Sequence, residues 1–223
     1  MIASTPMFLR KILPLVAVGF LFAACDDATA PIENARVEIR LTDNPSEILA
    51  TAEVTISAVY LQGGPDDDDA TGTDESDDAD EPSGRTYLYE AVEGEEPFTV
   101  NLLELQNGVS VGLAGAEVEP GSYGQLRFVV GGSVVTLSEG YTFEDGSTER
   151  EIRIPSGSTS GIKVNLTNDI EAPPGETLEL LVDFDVNEAF RFPGMGQGTV
   201  IREVMFLPVL HELSRSTEEG TGS

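Results

Sequence analysis

Apolar and polar residues alternate with period two through most of this chain, and that spacing dictates strands. In ARVEIRL, Val37, Ile39 and Leu41 fall on one face and Arg36, Glu38 and Arg40 on the other, as a half-buried strand requires. AEVTISAVYL repeats the pattern after a short break, and TYLYEA, FTVNLL, YGQLRFVV, SVVTLS, EIRIP, GIKVNL, LELLVDFDV and VIREVMFLPVL follow. Turn-forming stretches such as EPGSYG and APPGE separate them, and helical spacing is scarce. About ten short strands divided by turns predict an all-β fold, an antiparallel β-sandwich with Greek-key connections of immunoglobulin or transthyretin type. One short helical turn is expected in DNPSEILA, where Asn44 is placed as the cap, Pro45 takes the first helical position and Glu47 lies three residues past the cap.

The apolar run from Ile12 to Ala24 is thirteen residues long and contains Pro14 and Gly19. A helix crossing hydrocarbon needs about 20 apolar residues, so the run is too short for a span. Arg10 and Lys11 precede it and two small residues end it, which is the layout of an export signal over residues 1–24. FAAC, followed by Asp26, resembles the lipobox of bacterial lipoproteins. That resemblance implies that Cys25 takes a diacylglyceryl group through its sulfur, that the chain is cut before it, and that the new amine is acylated with a chain such as palmitate. Several acyl chains hold a protein on a bilayer where one is marginal. Cys25 is the only cysteine in the chain, so no internal disulfide is available and stability must come from a hydrophobic core.

Forty Asp and Glu face twelve Lys and Arg. Removing Arg10 and Lys11 with the signal leaves forty against ten, a net charge near −30. Such a surface excludes nucleic acid as a partner, because phosphate binding needs clustered Lys and Arg. Ten of the acids lie in DDDDATGTDESDDADE, from Asp66 to Glu81, with no aliphatic residue larger than alanine. A segment of this kind cannot bury enough surface to offset its ordering entropy, so residues 63–84 read as a solvated insertion between two strands. Weak calcium binding by this run is the sharper alternative.

RVEIRLTDNP, LLELQNG, VEPGSYGQLRFVV, SGIKVNL and LLVDFDV follow one another in the order and spacing of the bacterial domain-of-unknown-function family 4382. The resemblance covers roughly Ala35 to Leu213 and implies an envelope lipoprotein with a β-sandwich body and no assigned activity. The organisation expected is a signal at 1–24, a tether at 25–34, a sandwich domain at 35–213 and a flexible tail at 214–223.

Candidate chemistry is sparse. His211 is the only histidine, so a catalytic triad or histidine-rich metal site has one residue to draw on; no GxSxG elbow occurs. Asp183, Asp185 and Asn187 in DFDVN imitate the opening of a calcium loop. The match then fails, with Glu188 where the loop needs glycine and Gly194 where it needs glutamate. Strand alternation puts Val182, Phe184 and Val186 inward and Asp183 and Asp185 outward. Lys163 and Arg127 are their expected partners, so these four residues form a candidate polar patch. Carboxylates are abundant enough for hydrolysis, but number is not geometry.

The leading function class is a non-catalytic, lipid-anchored envelope protein, needing no cofactor and either presenting loops to a protein or glycan partner or simply contributing to the cell surface. It is expected in the outer membrane or at the cell surface rather than the inner membrane. A calcium- or carbohydrate-binding surface module comes second, and a carboxylate-dependent hydrolase third.

Overall fold

The computed structural model describes residues 33–65, 84–152, 154, 161–195 and 198–219. The described fold begins with β1 (Ala35–Thr42), β2 (Leu49–Gln62) and β3 (Arg85–Glu90). Next come β4 (Phe98–Asn101), a 3-10 turn (Leu102–Leu105), β5 (Val111–Val118), β6 (Gly121–Tyr123) and β7 (Gln125–Leu137). β8 (Thr142–Phe143), β9 (Glu149–Ile152), β10 (Ile162–Asn165), β11 (Ile170–Ala172) and β12 (Glu176–Phe184) follow. Helix α1 (Val186–Ala189), β13 (Phe190–Arg191), β14 (Val200–Ile201), β15 (Met205–Phe206) and β16 (Leu210–Glu219) complete it. The protein is all-β with one short α-helix among the described residues.

Ten strands share one sheet, in the order β3-β2-β7-β10-β16-β12-β1-β5, with β4 added on β2 and β9 on β7. The end strands β3 and β5 come against each other, so the path nearly closes around its core. The bend falls at β10, whose first half pairs with β7 through Ile162 and Lys163 and whose second half pairs with β16 through Val164 and Asn165. A strand that changes partners midway is a common way to turn a sheet's corner. Gly161 makes the approach feasible: its φ is +66°, and a Cβ there would stand 3.3 Å from Phe128 O.

The alternation read from the sequence is the alternation of burial. Val37, Ile39 and Leu41 are fully buried, and β2 buries Ala52, Val54 and Ile56 in the same rhythm. Each such Val, Leu or Ile removed from water contributes about 1.5–3 kcal/mol. Towards their ends both strands are covered on two sides, so Leu41 and Thr42, and Ala58 to Leu61, are buried consecutively.

Three expectations are corrected. The arrangement is not wholly antiparallel: β1 runs parallel to β12, β10 to β16 and β8 to β14. No helical turn forms at Asn44–Glu47, which is irregular and then bent; the Asn44 side chain donates to Asp183 instead of capping its own segment. Residues 214–219 are not a tail but the second half of β16, laddered onto β12 from Leu181↔Ser214 to Glu176↔Glu219. Residues 220–223, residues 25–32 of the expected tether, and the signal all lie outside the described residues.

Most of the acidic insertion, residues 66–83, also lies outside the described residues. Its flanks are described: Gln62 of β2 pairs with Arg85 of β3, so the hairpin is already closed at the insertion's base. Deleting residues 66–83 removes acids that repel one another and shortens a loop whose closure entropy changes only slowly with length. The melting temperature is expected to hold or rise. A fall of more than several degrees, seen also without calcium, would show that the insertion packs on the body.

Candidate functional site

The residues with the least ordinary chemistry gather where β1 and β12 end side by side. Thr42 pairs with Asp183 in the parallel ladder, and both side chains are buried. Beyond Thr42, the backbone N–H of Asp43 donates to Leu105 O at 3.2 Å, and the Thr42 hydroxyl lies 2.8 Å from Val109 O. Asn107 and Gly108, both in the left-handed region, supply the tight turn that brings Val109 back to β1. The chain is thus steered across the open end of β12.

Three side-chain hydrogen bonds then tie Asp43–Pro45 to the far side. Val186 N–H donates to Asp43 Oδ1 at 3.0 Å, Asn44 Nδ2 to Asp183 Oδ2 at 2.8 Å, and Asn187 Nδ2 to Pro45 O at 2.8 Å. Asp185 caps α1 by accepting from Glu188 N–H at 2.9 Å, the usual use of aspartate before a helix. Asp43 and Asp183 are only 4% and 5% exposed. Asp43 Oδ2 and Asp183 Oδ1 are sealed from solvent without a hydrogen-bond partner.

Burial therefore dominates their electrostatics. Loss of hydration pushes the Asp43 carboxyl up to about 7, and the nearby Asp183 and Asp185 push in the same direction, against the bonds from the Val186 and Asn44 backbones. Asp183 is raised as well, again chiefly by burial and then by Asp185, while His211 and Asn44 oppose. Buried carboxylates are pushed towards the neutral acid in this way. His211 sits across the ladder from Asp183 and lies 3.7 Å from Glu188 through Nε2.

A groove opens next to this cluster, with a volume of about 560 Å³. Pro45 to Ile48 line one wall; Val186, Asn187, Phe190 to Phe192 and Met195 line the other. Its lining mixes apolar side chains with the polar groups of Ser46, Glu47, Asn187 and Arg191. That mixture suits a small ligand or a side chain from a partner. A second hollow of about 500 Å³ lies between Pro120, Pro173 and Pro174, flanked by Glu171 and Glu176.

The four residues of the expected polar patch divide into two pairs. Arg127 and Lys163 face each other across β7 and β10, with Arg127 bonding Gln125 and Gly161 O. β16 stands between β10 and β12, and Asp183 takes its bond from Asn44. The outward placement of Asp183 is corrected, because Asn44 covers the face that alternation assigns to solvent. Asp43 was not legible as a site residue; its only signal is the DNP stretch that the helical reading absorbed. Cys25 lies outside the described residues.

Both DNP and DFDV fall inside a longer match. A family model described as Domain of unknown function (DUF4382) matches residues 34–201. The chain belongs to that family. No curated protein and no solved structure matches it. The DUF4382 match ends at Ile201, short of Leu213 where the motif resemblance ends, so β15 and β16 lie beyond it. The buried carboxylates and both groove walls lie within it.

Among the described residues of this DUF4382 protein, no three His, Cys, Asp or Glu side chains converge as a metal site. None of their helices is long and apolar enough to cross a membrane. The two unpartnered carboxylate oxygens are closed to solvent, so a substrate in the groove could not touch them.

Proposed function

We propose that this DUF4382 protein is a non-catalytic, lipid-anchored module of the bacterial cell envelope, held by acyl chains on Cys25. The observation that carries the reading is the stretch LFAACDD, where the chain's only cysteine follows two small residues at the end of a thirteen-residue apolar run. Its place is the outer membrane or cell surface, with the β domain standing off the bilayer. A net charge near −30 after loss of Arg10 and Lys11 keeps the body from lying on anionic headgroups.

The groove between Pro45–Ile48 and α1 favours a binding role over a purely structural one, and a glycan or protein segment is the ligand class. A carboxylate hydrolase is the weaker reading, since the most perturbed acids are sealed away from the groove.

Replacing Cys25 by Ser is expected to release the protein from membranes into the soluble exported fraction. Mass spectrometry of the native form is expected to find acylated Cys25 as the first residue and no peptide before it. A Cys25→Ser protein that stays in the bilayer would sink the anchor.

A further inference from the structure

We propose that the groove between Pro45–Ile48 and α1 receives the C-terminus of a partner protein, with the terminal carboxylate on the Arg191 guanidinium and an apolar last side chain on Ile48, Phe192 and Met195. The inference rests on the binding role proposed for the groove and names the ligand that the groove takes.

Arg191 is unlike the other arginines. Acids outnumber Lys and Arg forty to twelve in this chain, and Arg36, Arg40, Arg150, Arg202 and Arg215 are all ion-paired. Arg85 lies over the Tyr60 ring, and Arg127 bonds Gln125 and Gly161 O. Arg191 donates through Nε to Glu188 O at 3.0 Å, in the last turn of α1. Among the described residues, no ion pair or hydrogen bond engages its two Nη atoms. Glu47 lines the facing wall without pairing with it. The guanidinium is therefore held to the helix at Nε, and its other end offers a planar pair of donors from a residue that lines the groove. A carboxylate matches that fork with both of its oxygens.

Apolar surface lies on the same groove. Ile48, Phe192 and Met195 line it and are only partly buried where they pack on the core. Gly194, at φ +75°, allows the turn that returns Met195 to Phe192, with Met195 N–H donating to Phe192 O at 3.4 Å. Side chains left half covered keep apolar surface in water, and burying it under a ligand's side chain is favourable. The volume of about 560 Å³ suits a short segment of chain.

A cation beside apolar surface selects among carboxylates. A chain terminus carries its carboxylate and its side chain on one carbon, so a single residue makes both contacts. An internal Asp or Glu brings the charge without the apolar group. The net charge of −28 repels polyanions, which disfavours an acidic glycan and tolerates a segment with one terminal charge. Glu47 on the facing wall favours a basic residue earlier in that segment.

Purified protein is titrated by calorimetry with the peptide acetyl-lysyl-alanyl-phenylalanine, as the free acid and as its C-terminal amide, at about 0.15 M salt. Amide chemical shifts of Asn187 and Arg191 report where each peptide sits. The free acid is expected to bind with a submillimolar Kd and the amide about tenfold more weakly, the usual cost of losing a charge-assisted hydrogen bond. Arg191→Gln is expected to weaken the free acid to the level of the amide and to leave the amide unchanged, and Arg191→Lys to recover only part. Equal binding of acid and amide, with shifts at Asn187 and Arg191, would overturn the terminal carboxylate while the groove's binding role stands. No shift there from either peptide would overturn both. Hexanoate or an oligogalacturonate binding as tightly as the free-acid peptide would overturn the choice of a protein terminus.

Discussion

Phe184→Ala is expected to lower the unfolding free energy by about 3–5 kcal/mol, the usual loss when a buried phenylalanine leaves a cavity. Phe184 ends β12 with no exposure, stacked on Phe206 at 6.2 Å between ring centres, and Phe206 packs on Phe190 at 4.9 Å. These three rings join the main sheet to the small β13–β15 ladder, and Phe190 also lines the groove. Truncating the β12 end of this chain of contacts removes the dispersion that couples Phe206 to the main sheet, and β-sheet backbone cannot collapse far to refill the space. For a domain of this size the melting temperature is expected to fall by roughly 10 °C. Leu213→Ala, at a 56% exposed position, is expected to change stability by less than about 0.5 kcal/mol. Urea denaturation of the two variants checks the contrast, and a loss below about 1 kcal/mol for Phe184→Ala would show that the aromatic cluster is not packed as described.

The second large effect is expected on β16. Arg215 donates to Glu212 through Nε and through Nη2, the latter at 2.7 Å, and also reaches Asp169 O at 2.8 Å and Asn168 O at 3.0 Å. The Glu212 side chain is only 4% exposed and its Oε2 also accepts from Thr167 N–H. The Arg215 guanidinium beside it holds the Glu212 carboxyl below the usual range. Arg215→Ala leaves that buried carboxylate without its cation and frees the loop at residues 167–169, a loss of about 2–4 kcal/mol. Arg215→Lys is expected to recover only part, since an ammonium cannot make the two-pronged contact. Adding Glu212→Gln to Arg215→Ala is expected to lessen the damage, because the stranded charge goes with it. Equilibrium denaturation of the singles and the double gives the coupling directly; strict additivity would mean that the pair contributes nothing. The benefit of the depressed carboxyl is present above its unfolded pKa and fades as pH falls through the folded one, so wild type and Arg215→Ala should converge in acid.

Strands whose side chains do the packing were the legible part. β1 alternates in the sequence and in the structure alike, because one face meets the core and the other meets water. β5 escaped notice since VGLAGAEV is built from glycine and alanine around Leu113, and it is held by its ladder to β1 rather than by large apolar groups. The second half of β16 reads as polar on both faces for a related reason: backbone pairing with β12 recruits it, and backbone pairing leaves no periodicity.

Local and distant partners compete at DNP. Capping by Asn44 and Pro45 is a preference of about 1 kcal/mol, whereas contacts across 139 and 143 residues claim Asn44 and Asp43. The helix forms instead at Val186–Ala189, started by Asp185, within a stretch that alternation assigns to strand. The candidate site was half legible for the same reason. DFDV drew attention to Asp183, but its place beside Thr42 and Asn44 depends on a parallel ladder that no short-range pattern encodes.

The position of β16 bears on time as well as on stability. β1 waits for β12, whose residues lie about 140 positions later, as in Arg36↔Thr177. β10 and β12 are joined only when Leu210–Glu219 slides between them. A chain still emerging from the ribosome therefore holds strands with open edges until Leu210–Glu219 has been made. Topologies dominated by such distant pairings fold slowly. Until those distant pairings form, the facing edges of β10 and β12 stay open, and Leu210–Glu219 is the strand that fastens them.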